Sequence, residues 1–239
     1  MTDNTADFSQ ITAAILAGGL GTRLRSVVVG RPKVMAEVHG RPFLSYLFDQ
    51  LQASGCTCVV LCTGYLGEQI YDAFGDSYGS LQLYYSQEKQ PLGTAGALRL
   101  AQAHLLSSSI LVMNGDSFCA ADLKAFCDWH HARPSTASML LTQVADSERY
   151  GAVDVDADGA VIEFAEKRKG GGLYWINGGV YLLKRDVLLS IPEGKPTSLE
   201  YDIFPRLVGH GLYGYPGRGG FLDIGTPDDF AVAEAFFAR

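Results

Sequence analysis

The sequence has little positive charge and few cysteines. Its 239 residues include 19 Lys and Arg against 26 Asp and Glu, a formal net charge of −7. A chain with this charge is a poor general partner for a polyanion, so we expect no nucleic-acid binding, although a local group of cations suffices for a small phosphorylated ligand. The five cysteines are odd in number and show no C-x-x-C spacing, which favours reduced cytoplasmic thiols over disulfides or a metal cluster.

Long apolar stretches are missing as well. No window of about 18 apolar residues occurs, so the sequence predicts no membrane-spanning segment. The polar start MTDNTADFSQ lacks the basic and apolar regions of a signal peptide. With 47% hydrophobic residues, the chain still has enough apolar side chains for a buried core. We therefore expect a globular cytoplasmic protein, and the sequence leaves open whether it forms a homo-oligomer.

Short apolar runs alternate with helical periodicity in the first half of the chain. This pattern predicts strands at 11–16, 58–62, 81–85 and 110–113 and helices at 42–53, 66–74 and 94–105. After about residue 135 it predicts a hairpin (152–155 with 161–164), a strand at 175–183, and helices at 199–209 and from 226 onward. We expect an α/β fold with a central mixed, mostly parallel sheet flanked by helices. One domain over 1–239 is expected, with a change of pattern between 11–135 and 136–239.

A glycine-rich loop with basic residues follows the first predicted strand. The run AGGLGTRL and the Pro-Lys pair after it contribute Gly18, Gly19, Gly21, Arg23 and Lys33. Glycines let several backbone N–H groups converge on phosphate oxygens, and the cations add fixed positive charge. The P-loop pattern is absent, and Leu24 replaces the third glycine of the dinucleotide motif. The alternative is a tight turn beside two solvated cations, but ligands of α/β proteins bind just after such strands.

Five motifs occur in a fixed order from about residue 11 to 230. They are GG-x-GTRL with its Pro-Lys pair, LVMNGDSF, FAEKR, INGGVYLL and FLDIGTPDDF. This ordered set resembles the sugar-1-phosphate nucleotidyltransferases. The resemblance implies a Rossmann-like nucleotidyltransferase fold that joins a nucleoside triphosphate to a sugar 1-phosphate and releases pyrophosphate. It also implies that 11–135 binds the nucleotide and 136–239 the sugar phosphate.

The resemblance implies roles for individual residues of the nucleotide site. The nucleotide-binding residues are Leu16, Ala17, Gly18, Gly19, Gly21, Thr22, Arg23, Glu88, Gly93 and Thr94. Arg23 is implied to bind the leaving pyrophosphate, Lys33 the α-phosphate and Lys167 the incoming sugar phosphate. None of the five histidines falls in a motif, which agrees with a transfer that depends on positioning and charge neutralisation more than on acid–base work.

A sugar-phosphate site and a Mg²⁺ site are implied in the same way. The sugar-phosphate residues are Asn114, Tyr150, Gly151, Glu166, Lys167, Asn177, Gly178 and Glu200. Asp116 and Asp223, which each end an apolar run, are implied to hold Mg²⁺, an ion that takes few carboxylates and leaves positions for phosphate and water. The alternatives are that Asp116 and Asp223 merely cap a turn and a helix, and that Glu200 lies on a helix surface.

Glu88 bears on the choice of base. Guanine presents N1–H and N2–H₂ side by side, and an ionised carboxylate can accept a hydrogen bond from both donors. Uracil and thymine have a carbonyl oxygen beside a single N–H, so one carboxylate oxygen would face another oxygen. Such a mismatch costs ~1–3 kcal/mol, which gives about ten- to hundredfold selectivity. The pattern S-x-E-x-x-PLGTAG resembles the corresponding motif of guanylyltransferases that bind GTP. The sequence as a whole resembles those guanylyltransferases that use D-glycero-α-D-manno-heptose 1-phosphate. The alternatives are a uridylyl- or thymidylyltransferase, a noncatalytic nucleotide-sugar sensor, and a Glu88 that is only a surface residue.

Overall fold

The computed structural model describes residues 7–24, 27–145, 151–165 and 172–238. The strands in this part of the chain are β1 (Thr12–Ala17), β2 (Glu37–Val38), β3 (Arg41–Pro42), β4 (Cys58–Thr63), β5 (Ser77–Tyr78), β6 (Leu81–Gln87), β7 (Ser109–Asn114), β8 (Ser117–Cys119), β9 (Ala137–Val144), β10 (Ala152–Val155), β11 (Val161–Ala165), β12 (Tyr174–Lys184), β13 (Leu212–Pro216) and β14 (Phe221–Asp223). The α-helices are α1 (Phe43–Ala53), α2 (Gly67–Phe74), α3 (Gly93–Leu100), α4 (Leu123–His131), α5 (Arg185–Ser190), α6 (Phe204–Leu207), α7 (Pro227–Ala231) and α8 (Ala233–Phe237). None of the helices in these ranges has the length and apolar character needed to cross a membrane.

Ten of the strands form one mixed sheet. Eight follow the order β11-β10-β12-β7-β1-β4-β6-β5, while β9 pairs with β12 and β13 pairs with β9. The central strands β7, β1, β4 and β6 are parallel, and β12 is antiparallel to β7, β9 and β10. The predicted α/β fold with a mixed sheet, parallel at its centre, is confirmed. Both expected halves of the domain contribute to this one sheet, and their assignment to nucleotide and sugar phosphate stays a prediction.

The strand order places a crevice beside β1. The chain builds β1, β4 and β6 outward in one direction and then returns to add β7 on the other side of β1. Ligands of open α/β sheets bind at the carboxyl ends of the strands where the order reverses in this way. Leu16 pairs with Asn114 at that end of the sheet, and the N–H of Gly115 donates to the Leu16 carbonyl at 3.0 Å.

The core lies on both faces of the central strands. Successive side chains of a strand point to opposite faces, so Ile15 packs with Leu47 and Phe48 of α1 on one face. Ala14 packs on the other face with Leu98 of α3. Both faces are closed by helices, which explains why β1 and β4 have nearly continuous apolar sequences.

Two of the predicted helices differ from those observed. Helix α3 ends at Leu100 and continues as a 3-10 turn over Ala101–Ala103, short of the predicted end at 105. The segment 199–209 begins as a π-helix over Leu199–Ile203 and becomes α-helical only at Phe204–Leu207. Pro205 explains the widened turn, because its ring has no N–H and clashes with the carbonyl four residues earlier in a regular α-helix. Ser198 caps this segment as predicted, accepting the N–H groups of Glu200 and Tyr201.

Candidate active site

A cavity of about 380 Å³ lies at the carboxyl end of β1. We call it the first cavity. It brings together nine of the residues implied for the nucleotide: Leu16, Ala17, Gly18, Gly19, Gly21, Arg23, Glu88, Gly93 and Thr94. Of Thr22, the structure describes only the backbone, which forms a 3-10 turn over Thr22–Leu24. The volume is in the range of small-molecule sites.

Glu88 occupies a narrow slot in the wall of the first cavity. Its backbone N–H donates to the Thr63 carbonyl at 2.9 Å, which aligns it with the end of β4. Its Oε2 accepts the N–H of Leu92 at 2.9 Å. A Cβ on Gly18 would lie 2.8 Å from Glu88 Oε1, and one on Gly64 would lie 3.0 Å from the same oxygen, so a larger residue at either position would press on this carboxylate. Burial raises the pKa of Glu88, and the Leu92 hydrogen bond partly opposes that shift.

Lys33 and Asp116 line the first cavity, and Asp223 lies beside them. Lys33 Nζ donates to Asp116 Oδ2 at 2.8 Å and lies 3.9 Å from Asp223 Oδ1. The two aspartates are brought together by pairing of β8 with β14, in which Asp223 is opposite Ser117 and the N–H of Ile224 donates to the Asp116 carbonyl at 2.9 Å. Burial and the neighbouring Asp116 charge raise the pKa of Asp223, while Lys33 opposes the rise. The pair therefore favours additional positive charge.

The donor set at this point fits one kind of metal site. The described residues contain no group of three or more His, Cys, Asp or Glu side chains that could hold a metal ion. Mg²⁺ is commonly held by one or two carboxylates, with phosphate oxygens and water completing its shell. Asp116 and Asp223 supply that number of carboxylates, so the site fits Mg²⁺ together with a phosphate ligand. Asp223 is not the cap of α7, because Thr226 fills that position by accepting the N–H of Asp229.

A second cavity of about 200 Å³ adjoins the first. Four of the residues implied for the sugar phosphate line it: Asn114, Gly151, Asn177 and Glu200. Asp116 and Asp223 also line it, and Asn114 and Asp116 belong to both cavities. The two cavities therefore meet at the end of β7. Asn114 Oδ1 is buried there without a hydrogen-bond partner among the described residues, as is expected of an acceptor that serves a ligand or a water.

One expected sugar residue lies elsewhere, and three lie outside the described residues. A Cβ on Gly178 would lie 3.0 Å from the Leu140 carbonyl, so this position faces the neighbouring strand β9. Gly179, with a positive φ of 74°, lines the second cavity in its place. The cause is the alternation of side chains along β12, which puts Asn177, Gly179 and Tyr181 on the cavity side and Gly178 on the opposite side. Tyr150, Glu166 and Lys167 fall in the ranges that the structure does not describe.

Tyr181 is a site residue that the sequence analysis missed. Its side chain is fully buried, and its hydroxyl accepts from Asn177 Nδ2 at 2.8 Å and donates to Glu200 Oε1 at 3.2 Å. Burial and the Glu200 charge raise its pKa well above the ordinary value, so the hydroxyl keeps its proton. The motif INGGVYLL contains this residue. An apolar strand, however, predicts a core tyrosine as readily as one that lines a cavity.

The mixed sheet, the glycine-rich loop after β1 and the cavity in the crevice beside it together define the class of this chain as an α/β protein with the fold of nucleotide-binding proteins. Comparison with known families makes the class specific. The family model described as "Nucleotidyl transferase" matches residues 12–239, and the chain belongs to that family.

Individual relatives agree with the family. The chain is 36% identical to "D-glycero-alpha-D-manno-heptose 1-phosphate guanylyltransferase" of Aneurinibacillus thermoaerophilus, over 93% of this chain and 96% of that protein. It is 35% identical to "Mannose-1-phosphate guanylyltransferase" of Mycobacterium tuberculosis, over 96% of this chain, and spans 65% of that protein's length. Among solved structures, HddC from Yersinia pseudotuberculosis superposes with a TM-score of 0.84 at 33% identity, covering 95% of this chain and 99% of that one. HddC has also been solved with GMP-PN, at a TM-score of 0.83.

Proposed function

We propose that this chain transfers the guanylyl group of GTP to a sugar 1-phosphate, giving a GDP-sugar and pyrophosphate, and that the sugar is D-glycero-α-D-manno-heptose. The observation that carries the proposal is the junction of the two cavities, where Lys33, Asp116 and Asp223 lie together. A nucleotide in the first cavity and a sugar phosphate in the second would bring their phosphates to this junction.

The reaction then follows from this placement. A phosphate oxygen of the sugar 1-phosphate attacks the α-phosphorus of GTP in line, the bond from that phosphorus to the β-phosphate oxygen breaks, and pyrophosphate leaves. No covalent bond to the protein forms. Lys33 binds at the α-phosphate, and Arg23, which also lines the first cavity, binds the leaving pyrophosphate. Positioning and charge neutralisation of this kind supply most of the catalysis in phosphoryl transfer.

We propose Asp116 and Asp223 as the holders of Mg²⁺. The ion would neutralise charge on the α-phosphoryl group and the leaving pyrophosphate. The support is the carboxylate pair itself, beside which burial and then the neighbouring Asp116 charge raise the pKa of Asp223. The proposed role of Lys167 at the sugar phosphate rests on the sequence motif FAEKR.

Glu88 supports guanine as the base. Its carboxylate has one oxygen held by Leu92 and lies in the wall of the first cavity, where a donor pair on the base edge would satisfy it. A uracil or thymine would leave the carboxylate facing a carbonyl oxygen, which is repulsive in a partly buried site. The relatives named above are guanylyltransferases, in agreement with this choice.

The heptose is proposed from the sequence resemblance, and relatives named for heptose 1-phosphate and for mannose 1-phosphate are similarly identical to this chain. A cytoplasmic location, the absence of nucleic-acid binding and the possible homo-oligomer stay predictions. A noncatalytic sensor is the weaker alternative, because such a protein has no need to keep Lys33, Asp116 and Asp223 together.

The test is a matrix of substrates. The purified chain is incubated with Mg²⁺ and each of GTP, UTP, dTTP and CTP against heptose, mannose and glucose 1-phosphates, and pyrophosphate and the nucleotide sugar are quantified. We expect turnover with GTP and the highest kcat/KM with the heptose 1-phosphate. A preference for UTP would overturn the assignment of guanine as the base, and a preference for mannose 1-phosphate would overturn the assignment of heptose as the sugar. Binding of GTP without turnover would favour the noncatalytic sensor.

A further inference from the structure

The hydroxyl of Thr94, in the wall of the first cavity, is hydrogen-bonded to the carboxylate of Glu200, in the wall of the second cavity. Thr94, in the first turn of α3, donates from Oγ1 to Glu200 Oε2 at 2.8 Å. The same Oγ1 accepts the N–H of Leu199 at 2.7 Å. Because a threonine hydroxyl has one proton, the bond accepted from Leu199 and the bond donated to Glu200 together define its orientation. The hydroxyl of Thr94 is thus already engaged by protein on both sides.

The carboxylate of Glu200 is held by two further hydroxyls. Ser198 Oγ donates to Oε2 at 2.8 Å, and the Tyr181 hydroxyl donates to Oε1 at 3.2 Å. An ionised carboxylate offers about four acceptor positions, so the three protein donors leave about one, on Oε1. A hydroxyl group of a sugar in the second cavity is the kind of donor that this remaining position accepts.

Ser198 and Thr94 are not equivalent supports. Ser198 lies two residues from Glu200 on the same turn and moves with it, whereas Thr94 is 106 positions away on another element. Of the two donors to Oε2, only Thr94 can therefore fix the carboxylate relative to the sheet and the nucleotide site.

The backbone around Glu200 is anchored independently of the Thr94 side chain. The N–H of Thr197 donates to the Leu92 carbonyl at 2.8 Å. The N–H groups of Ala95 and Gly96 donate to the Thr197 carbonyl at 2.9 and 3.1 Å. Removal of the Thr94 hydroxyl therefore leaves the two segments joined, and takes away only one of the three donors to the carboxylate and the acceptor of the Leu199 N–H.

We infer that Thr94 is a positioning residue for the sugar, and not a ligand of the nucleotide as its place in the motif implies. Its hydroxyl sets the orientation of Glu200, so that the last acceptor position of the carboxylate meets a hydroxyl of the sugar 1-phosphate. The inference rests on the proposed function and adds to it a residue that affects sugar binding from the nucleotide side of the junction.

The experiment separates KM for the sugar 1-phosphate from KM for GTP. Thr94→Val removes the hydroxyl at nearly constant volume, Thr94→Ser retains it, and Thr57→Val removes an exposed hydroxyl at the opposite end of β4 as a control. For Thr94→Val we expect KM for the sugar to rise about tenfold or more, and KM for GTP to stay within about twofold, since one lost hydrogen bond to a charged group has an effect of that order. Thr94→Ser is expected to restore the sugar KM.

Glu200→Gln and the double variant complete the test. If Thr94 acts through Glu200, Thr94→Val has much less effect in the Glu200→Gln background than in the wild type. A wild-type sugar KM in Thr94→Val, or a rise confined to GTP, would overturn the positioning role. If circular dichroism shows Thr94→Val to be unfolded, Thr94→Ala is put through the same cycle. A wild-type chain that makes no nucleotide sugar would instead refute the proposed function, so the two failures are distinct.

Discussion

Lys33 and Asp116, 83 positions apart in the sequence, form an ion pair of 2.8 Å where the two cavities meet. The lysine follows the glycine-rich loop and is nearly buried, whereas the side chain of Asp116 is 44% exposed. Asp223 Oδ1 is 3.9 Å from the same ammonium group, so one cation serves two carboxylates. Electrostatic interactions are stronger against a partly buried wall than in water, so charge changes here have large effects on phosphate and metal binding.

Asp223→Asn is expected to reduce turnover with GTP by at least about a hundredfold, since it removes one of two carboxylates that neutralise charge in the transition state. The chain is expected to remain folded. The raised pKa of Asp223 means that the stabilising contribution of this carboxyl is fully present below its ordinary pKa and is lost as pH rises through the raised value. At pH 7 the neutral amide therefore does not lower Tm. Pyrophosphate release and thermal unfolding measure the two effects.

The control for Asp223→Asn is Asp228→Asn, which makes the same chemical change five residues later at an exposed position. It is expected to keep turnover within about twofold of the wild type, because Asp228 affects only the first turn of α7. Equal activity of the two variants would remove Asp223 from the metal site.

Lys33→Met is expected to raise the pKa of Asp223 further. Burial and Asp116 already raise it, and Lys33 is the group that opposes them. Asp223 should then take up a proton at a higher pH than in the wild type, and the Asp116–Asp223 pair should lose affinity for Mg²⁺ at that higher pH. A ¹³C NMR titration of the aspartate carboxyl carbons, assigned with Asp223→Asn, measures the change. The control Lys124→Met, on the exposed face of α4, should leave the pKa of Asp223 unchanged. If Asp223 titrated identically in Lys33→Met and the wild type, Lys33 would not influence the pKa of Asp223.

Gly18→Ala is expected to weaken the preference for GTP with little loss of stability. The new Cβ would lie 2.8 Å from Glu88 Oε1, the far end of a flexible side chain, so the carboxylate moves and the backbone does not. We expect the GTP-to-UTP ratio of kcat/KM to fall by about tenfold. Gly172→Ala, whose Cβ would be no nearer than 3.7 Å to any described residue other than its chain neighbours, serves as the control. An unchanged ratio in Gly18→Ala would show that Glu88 does not contact the base.

Gly93→Ala and Gly55→Ala form a matched pair for stability. Both glycines have positive φ, 72° and 85°, and alanine in this region costs about 1–2 kcal/mol. A Cβ on Gly93 would also lie 2.6 Å from the Thr197 carbonyl oxygen, whereas Gly55 has nothing within 4 Å. We therefore expect Gly93→Ala to lower the free energy of unfolding by more than Gly55→Ala in urea titrations. Equal losses of unfolding free energy in the two variants would mean that the backbone at Thr197 moves away from the new Cβ at little cost.

The central sheet and the first cavity were predictable because the information is local. Each strand from β1 to β7 that borders the cavity is a short apolar run, and the glycines follow β1 directly in the sequence. The motifs placed Asp116 and Asp223 at strand ends, and the pairing of β8 with β14 brings them together as the resemblance implied. Helix α4 and strands β9 and β13 were not predicted.

The second cavity was less predictable because it depends on contacts between distant segments. Alternation along β12 puts Gly179, and not Gly178, on the same side as Asn177, but the three residues do not show which distant segments close the cavity on that side. The link from Thr94 to Glu200 spans 106 positions. Sequence spacing carries no information about such a hydrogen bond, which only the folded chain shows.

The most direct test of the account is the base preference of Glu88→Gln. Glutamine both donates and accepts, so the substitution removes the match to guanine's donor pair and creates one to uracil or thymine. With heptose 1-phosphate as acceptor, we expect the wild type to favour GTP over UTP, and Glu88→Gln to lower that kcat/KM ratio by about tenfold or more. A ratio that is the same in both proteins would show that this carboxylate does not read the base, and would contradict the assignment of the first cavity to guanine.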